Sequence, residues 1–137
     1  NIVLKEYLFF DISADSREEV FQKGTDLIQQ FIKLPDDFLE RLESRENMAS
    51  TEYDSRIAIP HPIDMSDIPE FISVFRLDKP VTWKTKQVQL IFLVCNRGEI
   101  SPIFYTKFSK VILDSDLSQK LIQAENFSKF SEIIESI

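Results

Sequence analysis

The chain has 137 residues, 43% of them hydrophobic and 12% aromatic, which suits one domain with a packed core and argues against a disordered chain. Its net charge is −7, and Lys84, Lys86, Lys107 and Lys110 are dispersed, so direct nucleic-acid contact by this domain is not expected: phosphate recognition needs clustered cations. One cysteine, Cys95, permits no internal disulfide, two glycines leave nothing to build a glycine-rich phosphate loop, and the longest apolar run, Leu90 to Cys95, cannot span a bilayer. A cytoplasmic protein without membrane insertion is expected.

In chain order, residues 7–12 (YLFFDI) read as a strand. A helix should start near Asp15, with Asp15 and Glu18 at capping-box spacing. Val20, Gly24, Leu27, Ile28, Phe31 and Ile32 then recur at helical spacing and predict one buried stripe. Pro35 interrupts the chain, and a second helix is predicted over 36–46, with Phe38, Leu39 and Leu42 inward and Arg45 near its end. Residues 47–55 are polar and turn-like. Arg56 to Ile59 read as a short strand stopped by Pro60, and 63–70 as an irregular loop. Residues 71–77 predict a strand, Lys79-Pro80 a break, and Val81-Thr82-Trp83 a brief edge element. The run 88–95 (VQLIFLVC) predicts a strand covered on both faces, with Cys95 a buried small side chain. Ser101-Pro102 has the form of an N-cap followed by proline at the first helical position. That helix would bring its N-terminus near the carboxyl end of the preceding strand, where anions are readily held. Two more helices are expected, over about 115–122 and 127–136. Alternating strands and helices predict an α/β domain, with a sheet flanked by helices. The chain begins at Asn1 and is expected to be one domain, 1–137, cut from a longer polypeptide.

His61 is the sole histidine, set in Ile59-Pro60-His61-Pro62 directly after a short strand. Each proline fixes its own φ and pushes the preceding residue towards extended backbone, so the imidazole is carried on a stiff segment. Stiffness serves a nucleophile that must meet its partner in one geometry. Taken without further context, a lone histidine between prolines is better read as an ordinary loop residue. One histidine and one distant cysteine have no metal-ligand spacing, and Asp64, Asp67 and Glu70 form no recognised ligand set. No nucleophile motif surrounds Cys95 or any serine.

The stretch Arg45-Glu46-Asn47-Met48-Ala49-Ser50-Thr51, followed by Ile57-Ala58-Ile59-Pro60-His61-Pro62, resembles the signature of phosphotransferase-system enzyme IIA domains of the fructose/mannitol class. Downstream, Lys79-Pro80-Val81-Thr82-Trp83 and Val88 to Leu93 resemble that family's turn and central strand, so the likeness covers essentially the whole chain. Glu-Asn-Met-Ala-Ser-Thr-Glu-Tyr is most similar to the IIA-like domains at the C-terminus of transcriptional antiterminators and activators of the BglG type.

The resemblance implies a mixed β-sheet flanked by helices in three layers, a phosphoryl group accepted on His61 from the phosphocarrier HPr, and Arg45 stabilising its charge. It also implies Thr51, ranked above Ser50, as a hydroxyl donor to the phosphoryl oxygens. Arg45 is equally suited to capping its helix and pairing with Glu43 or Glu46, and Ser50 and Thr51 to stabilising a turn. Phosphoryl carriage on an imidazole requires no cofactor. Transport-type members usually carry a second histidine after the central strand; Ser101, or Pro102 with a one-residue shift, stands there. Two functions follow as expectations, a regulatory phosphoryl acceptor and a relay to enzyme IIB, with an unphosphorylated scaffold as the third. Phe104, Tyr105 and Met65 are candidates for partner docking, with core packing favoured for Phe104.

Overall fold

The computed structural model describes residues 7–96 and 102–137. Four strands and five helices are found among them: β1 (Leu8–Ile12), α1 (Arg17–Ile28), α2 (Phe38–Met48), β2 (Ile57–Ala58), β3 (Phe71–Thr82), β4 (Gln87–Cys95), α3 (Pro102–Leu113), α4 (Ser115–Gln123) and α5 (Phe127–Glu135). The strands form one sheet in the order β1-β3-β4-β2. β1 runs parallel to β3, β3 antiparallel to β4, and β4 parallel to β2, so the sheet is mixed.

Period-2 alternation sends the two faces of the sheet to different cores. Phe71, Phe75 and Leu77 on β3, with Ile91, Leu93 and Cys95 on β4, face α1 and α2. Ile72, Val74, Leu90, Phe92 and Val94 face Phe108, Leu121 and Phe130 of the three C-terminal helices. The result is the expected α/β arrangement of a central sheet with helices on both sides. β4 is buried nearly throughout, which its unbroken apolar run demands, and the Cys95 side chain is buried at its end.

α1 can lie close to the sheet because Gly24 carries no side chain: a Cβ there would stand 3.0 Å from the Phe75 ring. That ring is itself stacked on Phe9 at a centroid distance of 5.5 Å and has little room to give. Gly24→Val is therefore expected to destabilise the domain by about 1–3 kcal/mol through overpacking. Comparing urea midpoints of the variant and the parent measures this, and an unchanged midpoint would contradict the close approach.

Local expectations need four corrections. Phe31 falls outside the predicted buried stripe, because α1 ends at Ile28 and the Phe31 side chain is 50% exposed. The first helix is capped one residue later than Asp15 and Glu18 suggest. Ser16 Oγ accepts the Glu19 amide at 3.1 Å, while a Glu19 carboxylate oxygen accepts the amide of Asp15, the residue before the cap, at 3.2 Å. The second helix runs to Met48, two residues past the expected end, because Arg45 Nη1 donates to the Ala49 carbonyl at 2.8 Å and satisfies a free acceptor there. The Lys79-Pro80 break does not divide β3. Pairing passes from Arg76↔Leu90 to Val81↔Val88, so the strand bulges outward around the proline and resumes. Gln89 bridges the bulge by donating to the Leu77 carbonyl at 3.1 Å. The expectations for the segment 97–101, including the Ser101 cap and the anion site at that helix start, and for the Phe104 side chain lie outside the described residues.

Candidate active site

His61 stands just beyond β2, at one edge of the sheet, and backbone hydrogen bonds pin its approach from both sides. The Ile59 amide donates to the Thr51 carbonyl at 3.1 Å, and the Val94 amide of β4 donates to the Pro60 carbonyl at 3.1 Å. Beyond the ring, the Ile63 amide donates to the Arg41 carbonyl of α2 at 3.3 Å. The two prolines remove backbone freedom between these anchors. The stiff presentation expected from Pro-His-Pro therefore has a structural basis on either side of the histidine.

Both ring nitrogens have partners. Nδ1 lies 3.3 Å from the Ile59 carbonyl, and Arg45 Nε donates to Nε2 at 3.1 Å. A carbonyl only accepts and a guanidinium only donates, so the pair of contacts requires the Nδ1–H tautomer with a lone pair on Nε2. α2 supplies Arg45 sixteen positions upstream of His61, and Arg41 one turn earlier secures the loop that follows the histidine. Arg41 Nη1 reaches the Asp64 carbonyl at 3.0 Å, and its fork grips Asp67 with contacts of 2.7 and 3.2 Å.

Burial of the half-buried ring holds the His61 pKa below its ordinary 6.5, assisted by the Arg45 charge; the Ile59 carbonyl and the Glu46 carboxylate oppose this without reversing it. The ring is then neutral and nucleophilic at neutral pH. A ring-resonance titration by NMR is expected to give a midpoint below 6.5. The sign follows by linkage: as pH falls through that window the unfolded chain takes up a proton the folded ring refuses, so stability declines on the acid side. A midpoint at or above 6.5 would contradict the arrangement of burial and charge.

Thr51 and Ser50 are placed differently from Arg45. Thr51 is buried and gives its hydroxyl proton to Glu46 Oε1 at 2.9 Å. Ser50 Oγ accepts the Glu52 amide at 3.2 Å. Among the described residues neither hydroxyl bonds to the imidazole. Glu46, considered from sequence only as a partner for Arg45, proves to be buried and central to this region; only its place beside Arg45 hinted at that.

The other side of the ring opens on a cleft of about 390 Å³. Its walls are mainly apolar and include Ile59, Met65, Val94, Tyr105 and Phe108. Tyr105 is 48% exposed, and Met48 and Ile63, neighbours of Arg45 and His61 in sequence, are 76% and 53% exposed. His61 thus lines a mainly apolar cleft, a kind of surface that suits contact with another protein. Among the described residues no cluster of histidine, cysteine and carboxylate side chains could hold a metal ion, and no helix is long and apolar enough to cross a membrane.

The site of this α/β domain sets one imidazole against a guanidinium, an arrangement with room in its chemistry for an anion beside the ring. The chain belongs to the family described as "Phosphoenolpyruvate-dependent sugar phosphotransferase system, EIIA 2", whose model matches residues 1–137. It is 25% identical over 135 residues to a "Probable licABCH operon regulator" of Bacillus subtilis, covering 96% of this chain and 21% of that protein. It is 26% identical to a "PTS system fructose-specific EIIABC component" of Mycoplasma pneumoniae, covering 98% of this chain and 21% of the relative. The chain thus spans about a fifth of the length of these two relatives. Its fold is that of the mannitol-type IIA protein of Escherichia coli, solved in complex with phosphorylated enzyme IIB. The TM-score is 0.77 at 14% identity, with 98% of each chain covered.

Proposed function

We propose that this domain accepts a phosphoryl group on Nε2 of His61 from the phosphocarrier HPr, in the cytoplasm, and that its phosphorylation state controls an attached transcriptional regulator. The observation that carries the reading is the two-sided hold on the ring. Arg45 lies 3.1 Å from Nε2, and the Ile59 carbonyl lies 3.3 Å from Nδ1.

In the reaction, the Nε2 lone pair forms a bond to phosphorus as the bond between phosphorus and the donor atom breaks, its electron pair leaving with the donor. Nδ1 keeps its proton throughout. The ring gains positive charge, and the Ile59 carbonyl is placed to stabilise it by a stronger Nδ1–H hydrogen bond. Arg45 yields the lone pair and turns its planar fork to the incoming oxygens, where a guanidinium neutralises charge most effectively. Ser50, whose hydroxyl is engaged with Glu52, would serve as a further donor only after turning from it. Thr51 would serve the phosphoryl group only after releasing Glu46.

The likeness to the Bacillus subtilis regulator along 96% of the chain, and a serine or proline where transport-type members carry their second histidine, support the regulatory role. The likeness to the fructose-specific component of Mycoplasma pneumoniae supports a second reading, a relay that passes the phosphoryl group to enzyme IIB. Incubation with phosphoenolpyruvate, enzyme I and HPr, followed by intact-mass measurement, tests acceptance. One acid-labile phosphoryl group is the expected gain, and no gain with competent carriers would leave only the scaffold. Adding enzyme IIB then separates the two roles: retention of the group supports regulation, and rapid loss to enzyme IIB supports relay.

A further inference from the structure

Glu46 lies beside Arg45 at the end of α2, and its side chain turns inward, where the residue is 3% exposed. A carboxylate is costly to bury without partners, and this one accepts three hydrogen bonds. The Thr51 amide donates to it at 2.7 Å, the Thr51 hydroxyl at 2.9 Å and Trp83 Nε1 at 3.1 Å. Two of the three come from one residue, so Thr51 is gripped through backbone and side chain together.

The grip leads to both sides of the imidazole. The Thr51 carbonyl accepts the Ile59 amide at 3.1 Å, and the Ile59 carbonyl faces His61 Nδ1. On the opposite side, the residue next to Glu46 in the same helical turn is Arg45, which reaches Nε2. Trp83, on the β3–β4 side of the structure, ties the carboxylate to the sheet. A leucine would fill the space, but it would leave the Thr51 amide and hydroxyl and the Trp83 indole N–H without their present acceptor.

We propose that Glu46 is a positioning residue for His61. It fixes the ring as the Nδ1–H tautomer through Thr51 and Ile59, and it sets the height of Arg45 at Nε2. The consequence for phosphoryl acceptance rests on the function proposed above; the consequence for the tautomer does not.

The test uses the fact that His61 is the only histidine of 137, so its ring nitrogens can be assigned without ambiguity in 15N-labelled protein. At pH 7.5 the parent is expected to show Nδ1 protonated and Nε2 as acceptor. Glu46→Gln offers one acceptor oxygen and sets an NH2 group against the remaining donors, so the hold on Thr51 loosens. The Nε2–H tautomer, which free imidazole side chains prefer in water, is expected to rise about fivefold, the change that loss of one ordinary hydrogen bond produces. Phosphoryl acceptance is expected to fall by on the order of 100-fold, as for a small misplacement of reacting atoms. Thr51→Val removes only the hydroxyl contact and should shift the tautomer in the same direction by less; it carries the test if Glu46→Gln fails to fold. Parent-like ring shifts in a folded Glu46→Gln protein, or in Thr51→Val where that must serve, would overturn the proposal. A purely structural carboxylate would lower the unfolding midpoint and leave the ring unmoved. If the parent takes no phosphoryl group but the tautomer shifts, the role of Glu46 stands and the acceptor reading falls.

Discussion

His61→Ala is expected to take up no acid-labile phosphoryl group under conditions in which the parent chain gains one. The expectation is all-or-none because the chain has no second imidazole. Phosphate esters of serine and threonine survive acid, whereas a phosphorus bond to imidazole does not, so brief acid treatment before mass analysis distinguishes them. Cys95 offers no competing nucleophile, since its thiol is buried at the end of β4. Alanine keeps a side chain compatible with the extended backbone between the prolines, and the pinned segments on either side of it do not use the ring. A folded alanine variant with the same acid-labile gain would remove His61 from the chemistry.

Arg45→Ala is expected to slow phosphoryl acceptance by about 100- to 1000-fold, the range found when one preorganised charge-stabilising group is deleted from a polar transition state. Two smaller effects accompany the deletion. The Ala49 carbonyl loses its guanidinium partner, at a cost of about 1 kcal/mol, small beside the roughly 5–15 kcal/mol that holds a domain folded. Arg45 also helps to hold the His61 pKa down, so its removal lets the ring protonate more readily. Measurement at pH 8 eliminates that second effect, because the ring is then neutral with or without the arginine. Arg45→Lys is expected to recover little of the rate, since an ammonium presents a point charge where a planar fork is needed. Rates in Arg45→Ala equal to those of the parent would exclude the guanidinium from the reaction.

Much of this architecture was legible because its signals are local. The apolar run of β4 requires cover on both faces, and the helix periodicities select the faces that α1 and α2 bury. Arg45 and His61 were legible as two ends of one motif, and the turn between them closes the gap to 3.1 Å. What escaped was decided by partners far along the chain. Proline at position 80 normally ends a strand, but β4 continues alongside and Gln89 bridges the gap, so β3 continues past it. In the sequence Glu46 reads only as a pairing partner for Arg45; its burial depends on Trp83, 37 residues away. Thr51 was legible as a polar residue near the histidine, but the direction of its hydroxyl could be read only once Glu46 was seen to turn inward.

The sheet ends, on the histidine side, in a strand only two residues long. Glu52 bridges to Ala58 along it, and two prolines follow before the chain can extend further. Unpaired strand margins are where foreign chains add themselves and where aggregation begins, and short length and proline are the usual deterrents. Here the chain's own residues 51–53 occupy the outer margin of β2, through the Tyr53 amide to the Ile57 carbonyl and the Ile59 amide to the Thr51 carbonyl, and the prolines limit any ladder beyond it. A protein meeting this end of the molecule would find side-chain surfaces and no open strand edge to extend.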